Sequence, residues 1–233
     1  MLIMANFDFG GIESPSNYQE KALCVLLLDV SGSMTVEGRL ESLNKGLSDF
    51  YNDIYNNASL SDALEITVVT FDHEVSQVVP PSLVEDFSMP LLQSRMGLTN
   101  MAGAIEEGIK IVDDRKEYYR HHGISYKRPW IILMTDGLPT NEEHEIVQAT
   151  QRVHESMDAN RFHFFPIGIK LTDEEMEFLK ELSHPNVPPA KLDGLRFSDF
   201  FLWLSNSMEK VSTSKDGDKV SFEKPTWMDG FQT

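Results

Sequence analysis

The sequence predicts an α/β fold of the doubly wound, Rossmann-like kind: a central, mostly parallel sheet with one antiparallel edge strand and helices on both faces. Three observations predict it. Short, wholly apolar runs such as Ala22 to Leu28 and Trp130 to Met134 suit strands buried on both faces of a parallel sheet. Between such runs, apolar residues recur at spacings of three and four, which is one face of a helix. The two patterns alternate along the chain, as β–α units do.

Taken in order, a polar leader of residues 1–20 precedes the first strand. Leu40, Leu43, Leu47, Phe50 and Ile54 then mark a helix starting near Gly38. Leu64 to Phe71 is a second strand. Glu74 to Val79 follows it too closely for a crossover, so it is the antiparallel neighbour, expected to end at Pro80-Pro81. Ser82-Leu83-Val84-Glu85 has the pattern of a capping box for a short helix. Met101, Ile105, Ile109 and Val112 mark a long helix toward Arg120. After the strand at Trp130, Thr140-Asn141-Glu142-Glu143 reads as a second capping box, opening a helix with Ile146, Val147, Val153 and Met157 inward. Phe162 to Ile169 is a strand in which Pro166 argues for a break or bulge. Thr172-Asp173-Glu174-Glu175 caps a helix carrying Met176, Leu179 and Leu182. A short extended piece at Ala190 to Leu192 precedes a last amphipathic helix from Phe197 to Val211. The domain therefore runs over residues 21–211, with a tail over 212–233 whose Phe222, Pro225, Trp227 and Met228 are free to dock on the domain or on a partner.

Composition narrows the function. The 233 residues suit a single large domain, and 37 acidic against 20 basic residues give a formal charge of −17. Such a field repels phosphate backbones, so no nucleic-acid partner is expected. Cys24 is the only cysteine and lies in an apolar run, which excludes an internal disulfide and fits a reducing compartment. The leader does not read as a signal peptide, and no apolar run is long enough to span a bilayer; the expectation is a cytoplasmic protein that meets no membrane.

In open α/β sheets the ligand lies beyond the carboxyl ends of the strands, near the switch point. Three segments expected there carry oxygen donors: Asp29-Val30-Ser31-Gly32-Ser33-Met34, Gly97-Leu98-Thr99-Asn100 and Thr135-Asp136-Gly137. Carboxylates and hydroxyls without thiolate or imidazole favour Mg²⁺, Mn²⁺ or Ca²⁺ over Zn²⁺ or Cu²⁺. Gly32 and Gly137 are read as permitting tight turns there, and Asp29 and Asp136 as lying at loop ends rather than in the core. Asp72 is read as a turn residue, with an outer-shell place at the site as the alternative. The seven histidines lack ligand spacing and are taken as surface or packing residues. Met96, Met101, Met134, Met157 and Met176 are taken as core, Met34 as more exposed, and the basic, aromatic run Arg115 to Arg128 as a solvated helix end and loop.

Asp29-x-Ser31-x-Ser33 with Thr99 and Thr135-Asp136-Gly137 resembles the metal-ion-dependent adhesion site of von Willebrand factor A (VWA) domains, and the likeness covers roughly Lys21 to Val211. The resemblance implies that Ser31, Ser33 and Thr99 ligate one divalent ion directly, and that Asp29 and Asp136 act directly or through water. It implies a non-enzymatic protein-binding domain whose metal completes its coordination with a partner's Asp or Glu carboxylate. Within that family, Cys24 to Met34, Thr70-Phe71-Asp72, Met134 to Thr140 and Phe197 to Leu204 are similar to bacterial tellurite-resistance Y-type proteins. That likeness implies a stress-response assembly with a serine/threonine kinase and a phosphatase among the partners.

Two other readings stay open at this point. One is a purely structural ion holding three loops together. The other is a metal-dependent phosphohydrolase with Asp29 as nucleophile. That chemistry needs an acid two residues on, where this chain has Ser31, whose hydroxyl cannot shuttle the proton. Neither G-x-G-x-x-G nor G-x-x-x-x-G-K-[ST] occurs, and no kinase signature is present.

Overall fold

Eight consecutive buried residues, Ala22–Asp29, form the central strand β1 in a computed structural model that describes residues 18–192 and 196–214. β1 pairs in parallel with β2 (Leu64–Phe71) on one side and with β4 (Trp130–Thr135) on the other. β3 (Val75–Leu83) runs antiparallel beside β2 and forms one edge. β5 (His163–Ile169) and the three-residue β6 (Ala190–Leu192) continue the sheet in parallel beyond β4, giving the order β3-β2-β1-β4-β5-β6. The chain builds outward from β1 first one way and then the other, so the switch point lies between β1 and β4.

The pleat of β1 divides the core in two. Ala22, Cys24, Leu26 and Leu28 face one layer with α1 (Arg39–Tyr55), the short α2 (Ala58–Ser61) and α6 (Phe197–Thr213). Leu23, Val25 and Leu27 face the other, with α3 (Met101–His122), α4 (Glu143–Asp158) and α5 (Asp173–Leu182). The period of two thus feeds two helical layers, as a doubly wound sheet requires. Gly46 lets α1 and α6 close on each other: a Cβ there would lie 2.8 Å from both Phe197 Cβ and Phe201 Cδ2.

Several local expectations are corrected. β3 does not stop at Pro80-Pro81 but continues to Leu83, with irregular register against β2 near Val68. Prolines are tolerated there because an edge strand has a side that needs no ladder donor. β5 runs unbroken through Pro166, which aligns with Leu133 of β4, while β6 pairs only from Ile167 onward. Ser82 does not cap the short 3-10 turn Val84–Asp86; its hydroxyl donates to the Pro80 carbonyl instead. The cap of α4 is Glu142, in a reciprocal box with Glu145, whereas Thr140 is drawn away to Thr99. Val147 lies exposed on α4, and Ala149 takes the inward place. The box at Thr172 and Glu175 forms as the sequence predicts.

The run from Arg115 to Arg128 is not simply a solvated end. Arg115 makes two 2.6 Å hydrogen bonds to the buried Glu65 carboxylate, and the fully buried Tyr119 hydroxyl donates to the same group at 2.5 Å. Burial, reinforced by the Glu65 charge, pushes the Tyr119 hydroxyl upward, so it remains a donor. Cys24 is buried, and desolvation pushes its thiol up to about 12. Among the described residues, no helix is long and apolar enough to cross a membrane. The leader through residue 17 and the tail from 215, including its aromatic residues, lie outside the described residues.

Candidate metal centre

The site grows from the end of β1. Asp29 is its last residue and is fully buried, so the expectation of a loop end outside the core is wrong here: the ladder to β2 extends through the Asp29–Phe71 pair. Its carboxylate is held at both oxygens, Oδ1 accepting the Ser31 N–H at 2.8 Å and Oδ2 the Thr135 hydroxyl at 2.7 Å. Burial raises its pKa from 3.8 to about 6; the bonds from Ser31 and Thr135 pull it back down, and the charge of Asp136 adds to the rise.

Ser31, Ser33 and Asp136 form a continuous run of oxygens. Ser31 Oγ lies 3.1 Å from Ser33 Oγ, and the Ser33 hydroxyl donates to Asp136 Oδ1 at 2.6 Å. Asp136, whose side chain has no exposed surface, is also more buried than a loop end suggests, because Arg39 covers it with a 2.5 Å ion pair to Oδ2. Arg39 opens α1 and is a site residue that sequence reasoning missed. Its place five residues beyond Met34, outside the recognisable motif, gave no signal.

Thr99 reaches the same rim by backbone ties. The Gly32 N–H donates to the Gly97 carbonyl at 3.2 Å, and Thr99 exchanges bonds with Thr140, N–H to Oγ at 3.0 Å and carbonyl to N–H at 3.0 Å. Its hydroxyl makes no hydrogen bond to the other four residues, so the structure brings Asp29, Ser31, Ser33 and Asp136 together and sets Thr99 beside them. The glycine this arrangement requires is Gly97, since a Cβ there would run into the His73 ring. Gly32 and Gly137, expected to provide tight turns, have room for a Cβ, and neither is among the positive-φ glycines. Met34 is fully buried and Met96 largely exposed, the reverse of expectation, because the 3-10 turn after Ser31 folds Met34 beneath the loop.

The donor set suits a hard cation. Oxygens at the vertices of an octahedron about 2.1 Å from a Mg²⁺ ion lie about 3 Å apart, close to the 3.1 Å between the two serine hydroxyls. Two carboxylates of like charge, both on buried side chains, also gain from a shared cation. No described histidine, cysteine or third acid joins them. Asp72 forms a turn, its Oδ1 accepting the Glu74 N–H at 2.8 Å, and has no hydrogen bond to the five residues.

Comparison with known proteins bears on the fold. Residues 24–139 match the family model for the von Willebrand factor type A domain. Inter-alpha-trypsin inhibitor heavy chain H3 of Mesocricetus auratus is 26% identical over 147 residues, 62% of this chain but only 16% of that protein. Among solved structures, the pilus adhesin SpaC of Lactobacillus rhamnosus GG superposes with a TM-score of 0.66 at 15% identity, covering 83% of this chain and 32% of the adhesin. The vWF domain of the type V pili tip protein Mfa5 of Porphyromonas gingivalis gives 0.64 at 11% identity, over 86% and 99% of the two chains. Proximal thread matrix protein 1 from the mussel byssus, in a structure with a zinc-occupied MIDAS motif, gives 0.53 at 15% identity, over 82% and 48%.

Proposed function

We propose that this chain, which has the von Willebrand factor A fold, is a non-enzymatic, metal-dependent protein-binding domain. One divalent ion, Mg²⁺ or Mn²⁺ before Ca²⁺, is held by Asp29, Ser31, Ser33, Thr99 and Asp136. The ion supplies an electrophilic position that an Asp or Glu carboxylate of the partner completes. It also reverses the local sign on a chain of formal charge −17, so an acidic partner surface is no obstacle.

The observation that carries the reading is the rim. Val36, Met96, Leu98 and Leu138 stand between 48% and 71% exposed, on the three loops that supply the oxygens. Apolar side chains gathered around a polar centre are what a protein interface leaves uncovered in the free molecule. Hydrogen bonds tie these loops together without an ion, through Gly32–Gly97, Thr99–Thr140 and Arg39–Asp136. That speaks for an ion that recruits rather than one that staples. The zinc in the mussel protein's motif shows that this fold can accommodate a softer ion; the oxygen set here favours Mg²⁺.

The likeness of Cys24 to Met34 and Met134 to Thr140 to tellurite-resistance Y-type proteins supports a finer reading. On it, the domain works in the cytoplasm within a stress-response assembly and meets a serine/threonine kinase and a phosphatase. The test is calorimetric titration of the chelator-treated chain with Mg²⁺, Mn²⁺ and Ca²⁺, repeated on Asp136→Asn. One saturable ion, lost in the variant and required for retention of a partner, supports the proposal. An ion whose removal unfolds the protein makes the site structural and sinks it.

A further inference from the structure

Arg39 holds Asp136 and keeps most of its own donors in reserve. Its Nη1 donates to Asp136 Oδ2 at 2.5 Å, while the Ser33 hydroxyl donates to Oδ1 at 2.6 Å. One carboxylate is thus gripped by the oxygen cluster on one side and by a guanidinium on the other. No other hydrogen bond joins this guanidinium to a described residue. Its Nε is buried without a partner, but Nη2 is not buried, and the side chain keeps 17% of its surface exposed. A guanidinium carries five N–H donors in a planar fork. Here only one of them is satisfied.

Arg115 in the same chain is the contrast. Its Nε and Nη2 both donate to the buried Glu65 at 2.6 Å, the two-pronged pairing of an arginine whose task is structural. Arg39 meets its carboxylate through one nitrogen and leaves the neighbouring Nη2 open to solvent. The local backbone is arranged to place it there. Glu37 and Gly38, at φ 55° and 69°, carry the chain through the left-handed region into α1, and the Arg39 N–H is tied back to the carbonyls of Met34 and Val36. A residue other than glycine persists at positive φ where its surroundings fix it, and Lys170 pins Glu37 at 2.6 Å. The unused donors name their ligand. Guanidinium N–H groups only donate, so the ligand is an acceptor, and an anionic one binds most strongly. A carboxylate has two oxygens, enough to meet a cation with one and Nη2 with the other. Val36 and Leu138, 51% and 48% exposed, stand close to Arg39 and Asp136 in the chain. A partner resting on them excludes water from the contact, which strengthens it.

We infer that Arg39 is a binding residue of this surface: the partner's Asp or Glu carboxylate, besides completing the ion's coordination, accepts a hydrogen bond from Arg39 Nη2. The inference rests on the proposed function and adds to it a residue, outside the recognisable motif, that selects an acidic partner. The test titrates the ¹⁵N-labelled full chain, saturated with Mg²⁺, with N-acetyl-glutamate methylamide, and uses the glutamine analogue as uncharged control. We expect saturable shifts at Gly32 and Gly137 with the glutamate probe alone, together with a shift of the Arg39 guanidinium resonance. Arg39→Gln should weaken the probe about tenfold or more, although Mg²⁺ affinity rises. Arg39→Lys, which keeps the charge beside Asp136 but has no Nη2, should weaken it about threefold or more. Arg95→Gln, which removes an exposed cation from the segment before Gly97, should change it by less than about twofold. Unchanged probe affinity in either Arg39 variant overturns the inference. So does an equal loss in Arg95→Gln, which assigns the effect to the overall field. No saturable shift in the loaded chain, or equal shifts from the glutamine analogue, also overturns it and leaves the ion site standing. A chain that takes up no Mg²⁺ refutes the proposed function, and the inference with it.

Discussion

Asp29→Asn should make the metal-free protein more stable at neutral pH while removing its affinity for the ion. Burial lifts the native pKa from 3.8 to about 6, so between these values the native state holds a proton that the unfolded chain has released. Stability therefore falls as pH rises through that window. At pH 7 the cost is about 3 kcal/mol, from about two pKa units at 1.36 kcal/mol each; by pH 4 it shrinks to about 0.5 kcal/mol. The asparagine keeps an acceptor for the Ser31 N–H, and its NH₂ can donate to Thr135, whose hydroxyl already has the Gly137 carbonyl at 3.1 Å as another acceptor. Neither the Ser31 N–H nor the Thr135 hydroxyl is stranded. For a domain of this size the gain is roughly 6 to 12 °C in Tm at pH 7. His163, whose pKa burial lowers to about 4, destabilises the fold on acidification, but it does so in both proteins and cancels in the difference. The assay is thermal unfolding of wild type and variant in chelator from pH 4 to 7.5. Mg²⁺ at about a thousand times its Kd should then reverse the order, since it adds about 4.1 kcal/mol to wild type alone. A Tm difference that does not change with pH would refute the reasoning, because the raised Asp29 pKa would then not be the source of the cost.

Three further outcomes follow from the packing. Arg39→Gln should tighten Mg²⁺ at least tenfold by calorimetry. A guanidinium and a divalent ion sharing one carboxylate repel by at least about 1.7 kcal/mol at roughly 5 Å even in water, and Arg39 Nε is already buried without a partner; weaker binding would mean Arg39 instead positions Asp136. Arg115→Met should destabilise by about 3 kcal/mol in urea titration, since it strands the buried Glu65 charge, whereas an unchanged midpoint would show that Tyr119 alone suffices. Gly46→Ala should cost about 1–3 kcal/mol through its clash with Phe197 and Phe201, read as a lowered Tm with metal affinity unaltered.

What the sequence made legible is what repeats or what is local. The apolar runs at Ala22 and Trp130 mark strands because burial on both faces leaves no polar position in them, the segment at Leu64 is marked by its β-branched residues, and the oxygens at the strand ends follow from topology. Thr172 and Glu175 form their box because both partners are near in sequence and nothing else claims them. Thr140 shows the limit: a residue forty-one positions away, Thr99, outcompetes the local cap. Arg39 and the Glu65 pair were invisible for the same reason, since each depends on segments that only folding brings together. Met34 and Met96 were misread because burial in an irregular loop has no period to read.

The two margins of the sheet limit how this molecule can be joined to others. One margin carries consecutive prolines, and the other is a three-residue strand among the described residues. A strand laid across Pro80-Pro81 would meet a stretch with no amide hydrogen to donate, and one laid against β6 would find little to grip. Recruitment by extending the ladder is thus discouraged at both sides. On the proposed function, traffic with other proteins goes to the loop end instead, where attachment would be reversible by chelation and would not carry the hazard of open-ended polymerisation.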